Sequence, residues 1–113
     1  MKLPKVKYWY HATTLEAAEK IQQQGQLRPA VDGIYFANTN QNASTFMMLR
    51  GLSRWAVVRV PGNQLRPHLE ISTDHCFAVP DGCHFAVYRG GTVTVDADQI
   101  DIWEDADEQP ENI

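Results

Sequence analysis

The chain has 113 residues, 43% of them apolar, and ten Lys and Arg against fourteen Asp and Glu give a net charge of −4. That length suits one domain with one core, and no apolar run approaches the eighteen or more residues of a membrane-spanning helix. Five acids and no base fall in the last ten residues, EDADEQPENI, so the body carries ten basic residues against nine acidic, or +1. A body this close to neutral offers no electrostatic case for general nucleic-acid binding. The acidic end over 104–113 reads as a solvated tail behind a single domain over 1–103. The opening MKLPKVKYWYH has lysines but no apolar stretch after them. No secretory signal is expected, and the chain reads as cytoplasmic.

A first strand is predicted over 6–12, rich in Tyr and Trp. Thr13 and Glu16 stand at capping-box spacing. They open a helix on Leu15, Ala18 and Ile21, with Gly25 as its stop. Residues 26–32, with Pro29, read as a loop, and 33–37 as a short strand. Polar residues over 38–42 supply cap chemistry for a second helix on Ala43, Phe46 and Met47, ending near Gly51. A strand over 55–60 closes on Pro-Gly-Asn, and 69–71 reads as extended. Residues 75–79 and 83–89 form a hairpin around Pro80-Asp81-Gly82. Gly90-Gly91 turns into a strand over 92–95, and 99–103 closes the domain. The class is α+β, with two short helices in the N-terminal half and five to seven short strands in an antiparallel sheet or two packed sheets.

His75-Cys76 and Cys83-His84 form a palindrome that invites a zinc site. In the hairpin, however, the two cysteines lie three residues apart along the ladder, roughly 10 Å. Zinc needs ligands about 2.0–2.3 Å from one ion. No metal is expected, and the same separation disfavours a disulfide. The phosphate-binding glycine loops, the Gly-x-Ser-x-Gly elbow and HExxH are all absent.

Two residues remain to be explained. His11 sits at a strand end just before a helix, where free backbone N–H groups meet polar ligands and an imidazole can bind a hydroxyl or move a proton. Tyr35 lies between Ile34 and Phe36, so if those two face the core, Tyr35 faces away and can stack a flat ring. Taken singly, each is as readily a packing or backbone-satisfying residue.

Their context is more specific. YHATTLEAAEKIQQQGQL followed by DGIYFAN resembles the core of the ADP-ribosyltransferase superfamily, in particular its poly(ADP-ribose) polymerase-like branch. In that branch a histidine in an H-G-T strand end precedes a helix, and a G-I-Y-F-A strand carries a tyrosine. Here HAT stands for HGT and GIYFA matches outright. The resemblance covers about Tyr8 to Met47, roughly a third of the chain. It implies split antiparallel β-sheets with NAD bound as substrate between them. His11 would hold a ribose hydroxyl, on the adenosine or the nicotinamide side. The Ala12 backbone would meet the carboxamide, with Thr13 following as in the family. Tyr35 would stack on the nicotinamide, and Phe46 falls where the branch has a second stacking tyrosine. Ala43 stands at the family's carboxamide-binding serine, with Ser44 beside it.

The family completes its site with a glutamate on a later strand, which stabilises the cationic ribosyl group as nicotinamide leaves. CHFAVYRGGTVTVDADQIDIW resembles that region, with His84 at the glutamate's position and Asp81 in the preceding turn. Branches without the glutamate resemble mono-transferases or inactive members. The implied activity is therefore mono-ADP-ribosyl transfer from NAD to a protein or nucleic-acid acceptor, and the scale of the chain suggests a bacterial or phage effector or toxin. The alternatives are a non-catalytic NAD or ADP-ribose binding module and an RNA 2′-phosphotransferase-like enzyme. The last would use arginines on RNA phosphate, and Arg28, Arg50, Arg54 and Arg59 are scattered. Oligomeric state is left open.

Overall fold

The computed structural model describes residues 6–30, 33–72 and 85–104. Strand β1 (Tyr8–Thr13) leads into helix α1 (Leu15–Gln24). Thr14, not Thr13, is the cap: it is extended (φ −69°, ψ 158°), and its hydroxyl accepts the Ala17 N–H at 3.1 Å. Strand pairing explains the shift, because β1 stays in register with the neighbouring strand through Thr13, opposite Ala56. Gly25 ends α1 as expected, in the left-handed conformation (φ 68°) with its N–H donated to the Ile21 carbonyl.

Where a loop was expected, Gln26–Leu27 form a short strand β2. Strand β3 (Ile34–Ala37) follows, then helix α2 (Asn40–Leu49), capped by the Thr39 hydroxyl on the Asn42 N–H at 3.0 Å. Gly33, just before β3, has φ 127°, and a Cβ there would lie 2.5 Å from the Tyr88 carbonyl oxygen. Both the backbone angle and the close approach of the next strand demand glycine. Strand β4 (Arg54–Pro61) runs into a short third helix, α3 (Gly62–Leu65), which the expectation of two helices missed. A single 3-10 turn (Arg66–His68) joins α3 to strand β5 (Leu69–Ser72).

Strand β6 (Phe85–Tyr88) lies where the second strand of the expected hairpin was placed, but it is flanked by β5 and β3, with Ala86 opposite Ile71 and Phe36, which leaves no edge of β6 for the expected hairpin. The rest of that segment, with Cys76, Asp81, Cys83 and His84, lies outside the described residues. Strand β7 (Val93–Thr94) pairs with β2 in a separate two-stranded sheet. Strand β8 (Ile100–Glu104) runs one residue into the segment read as tail, where Glu104 pairs with Arg54 at 3.2 Å. The main sheet is antiparallel with order β5-β6-β3-β1-β4-β8.

The pleat sends alternate residues to opposite faces. On one face Trp9, Phe36, Val58 and Val60 meet Ile21 of α1; on the other Tyr10, Ala12 and Val57 meet Met47 of α2. Because β4 is covered on both faces, its residues 55–58 read as a continuous apolar run rather than an alternating one. Burying each of Phe36, Val58 and Val60 contributes about 1.5–3 kcal/mol, and none is more than 1% exposed. The architecture is α+β with a mostly antiparallel sheet. Among the described residues no helix is long and apolar enough to cross a membrane.

Candidate functional site

The site begins where two neighbouring strands share little of their ladder. β1 pairs with β4 through six residues but with β3 only at Tyr10 opposite Ala37. Beyond that pair a side chain joins the two strands: His11 Nδ1 lies 2.8 Å from the Tyr35 carbonyl oxygen. A carbonyl can only accept, so Nδ1 carries the proton and Nε2 is left with its lone pair. The ring packs edge-on to Phe36, with centroids 5.9 Å apart. Burial lowers the His11 pKa below its ordinary 6.5, opposed in part by the Tyr35 carbonyl, which favours the protonated ring. His11 is therefore neutral at neutral pH, with Nδ1 committed to the fold and Nε2 fitted to accept from a hydroxyl.

His11 and Tyr35 both line an open cleft of about 200 Å³. Tyr10, Ala12 and Ala37 form its sheet side, and Ala43, Phe46 and Met47 of α2 form the other. Phe85 of β6 also lines it, packed edge-on to Phe46 with centroids 4.9 Å apart. A space below the roughly 300–1,000 Å³ of drug-sized ligand pockets, walled by aromatic and small apolar side chains, suits one flat ring rather than a whole dinucleotide.

Four of the residues singled out from sequence come together here: His11, Ala12, Tyr35 and Phe46. The period-two reading of β3 holds, since Ile34 and Phe36 are buried and Tyr35 is half-buried. Thr13 ends β1 opposite Ala56 and is not among the residues lining the cleft. Ser44 points elsewhere: its hydroxyl accepts the Trp55 indole N–H at 2.8 Å, and the two residues are only 3% and 2% exposed. Its place in the wall is taken by Ala43, whose methyl offers no hydrogen bond. His84 lies outside the described residues.

Sequence reasoning had not placed Tyr10, Phe36, Ala37, Met47, Phe85 or Arg50 at the site; the charged one among them is Arg50, which had stood only as one of several scattered arginines. It lines the cleft from the end of α2, four residues beyond Phe46 and so on the same helical face. That spacing was the signal available. Among the described residues no group of three or more metal-ligating side chains occurs. No family model, no curated protein and no solved structure matches the chain.

Proposed function

We propose that the chain is a small NAD-dependent mono-ADP-ribosyltransferase, a member of the poly(ADP-ribose) polymerase-like branch of the ADP-ribosyltransferase superfamily. One observation carries the reading: His11 and Tyr35, on separate strands, line a single cleft together with Ala12 and Phe46. Beside them β1 and β3 share only the Tyr10–Ala37 pair while remaining neighbours in one six-stranded sheet.

NAD is the substrate. Its nicotinamide ring enters the slot between Tyr35 and Phe46, and the Ala12 main chain meets the carboxamide. His11 Nε2 accepts a hydrogen bond from a ribose hydroxyl, an interaction that needs the neutral ring. The bond between the ribose and the pyridine nitrogen then breaks, and its electron pair leaves with nicotinamide. The resulting cationic ribosyl group is captured by a nucleophile of a protein or nucleic acid, which loses a proton. Among the described residues no carboxylate lines the cleft, and His84 is proposed at the third position. Without an acid there, chain elongation is not expected, and a single ADP-ribose is transferred.

A second reading is a non-catalytic NAD or ADP-ribose binding module, favoured by the methyl of Ala43 where the family has a hydroxyl. An RNA 2′-phosphotransferase-like activity finds less support, since Arg54 and Arg59 are held by Glu104 and Asp101 on β8.

The test is release of free nicotinamide from NAD by the purified chain, with cell lysate supplying acceptors. Release that is lost in His11→Ala and in Tyr35→Ala supports the enzyme, and His84→Ala then probes the third position. No release by the wild type overturns the enzymatic reading, and ADP-ribose binding that depends on His11 would establish the binding module instead.

A further inference from the structure

We infer that Arg50 is the phosphate-gripping residue of this cleft. Its ligand is a flat ring joined through one sugar to a phosphate. The inference rests on the NAD reading for the identity of the ring, and on the structure for the anion.

Helix α2 turns Ala43, Phe46, Met47 and Arg50 toward the cleft, the i, i+3, i+4, i+7 spacing of one helical face. The first three are apolar, and the fourth ends the stripe with a guanidinium. No Asp or Glu is among the described residues lining the cleft, so none of these neutralises that charge. Arg54, Arg59 and Arg89 are held by Glu104, Asp101 and Glu70 at 3.1–3.2 Å; Arg28, Arg50 and Arg66 have no ion pair among the described residues, and of these three Arg50 alone lines the cleft.

Spacing sets the ligand. Four residues of α-helix carry the chain about 6 Å along the axis, so Arg50 is rooted roughly one sugar's width beyond the ring held at Phe46. The cleft takes only the ring, and the rest of the ligand must leave across its rim. A guanidinium there presents a planar fork of donors that matches two phosphate oxygens. In nicotinamide mononucleotide, or the corresponding half of NAD, the 5′-phosphate is the group one sugar away.

Arg50 also caps the C-terminal end of α2, where a cation offsets the helix dipole. The purely structural role and the binding role separate by experiment. Nicotinamide mononucleotide and nicotinamide riboside differ by the one phosphate, and their affinities for the intact chain are measured by calorimetry at low ionic strength, with ADP as a probe that carries phosphate but no nicotinamide. Thermal unfolding of each variant is recorded alongside. The wild type is expected to bind the mononucleotide about tenfold tighter than the riboside, as a charge-assisted contact supplies. Arg50→Gln should bring the two within about twofold of each other while leaving riboside affinity unchanged, and Arg50→Lys should restore part of the difference.

Equal loss for both compounds, or no loss for either, overturns the role of Arg50 and leaves the NAD reading standing. Binding of ADP that depends on Arg50, with neither nicotinamide compound bound, sustains the phosphate grip and removes the NAD reading. If the wild type binds none of the three, both fall.

Discussion

Ser44→Ala tests on which side of α2 the cleft lies. The Ser44 hydroxyl accepts the Trp55 indole N–H at 2.8 Å in a buried setting. Removing it leaves that N–H without its partner, at a cost of about 1–3 kcal/mol, and the lost oxygen leaves a void that adds only a few tenths. Unfolding entropy is about 2.1 cal/mol/K per residue, which over 113 residues comes to roughly 0.24 kcal/mol/K. A loss of about 2 kcal/mol therefore lowers Tm by about 8 °C. Calorimetric or fluorescence-detected melting measures this, and nicotinamide release well below the melting range should stay within about twofold of wild type. The cost should also shrink to a few tenths of a kcal/mol in a Trp55→Phe background, where no indole N–H is left stranded. An unchanged Tm combined with abolished nicotinamide release would return Ser44 to the ligand and refute the present geometry. So would a cost that persists undiminished without the indole.

Further predictions concern pH and the start of β3. Because burial lowers the His11 pKa from 6.5, the unfolded chain binds more protons between the folded value and 6.5. The His11 contribution to stability is thus complete above about pH 6.5 and is lost as pH falls through the lowered folded value. His11→Asn keeps an N–H donor for the Tyr35 carbonyl but does not titrate, so urea titrations of the two proteins should converge in stability below about pH 6.5. A stability difference that stays constant with pH would contradict a buried neutral imidazole. Nicotinamide release should fall over the same acidic range, since a protonated Nε2 can no longer accept. Gly33→Ala should cost at least about 1–3 kcal/mol from backbone strain alone, with the 2.5 Å approach to the Tyr88 carbonyl added. An unchanged urea midpoint would show that β3 and β6 relax apart freely.

Features decided within a few residues of one another are legible in the sequence itself. Gly25 stops α1 because a left-handed residue is needed there, and Gly33 precedes β3 for a related steric reason. Alternation in IYFA sends Ile34 and Phe36 inward and Tyr35 outward, and threonine chemistry marks both helix starts. The same local signals do not choose between Thr13 and Thr14, since that choice depends on Ala56, far along the chain, holding Thr13 in the sheet. Nor do they show that Ser44 serves Trp55, that Arg50 reaches the cleft, or that a third helix follows β4. Above all, the placement of β1 between β3 and β4, with its full ladder given to β4, exists only in the folded sheet. Propensity and sterics act over one to four residues, whereas strand order is settled by burial of whole faces against partners distant in sequence. That tertiary choice carries His11 to the Tyr35 carbonyl and turns two separate short motifs into the wall of one cleft.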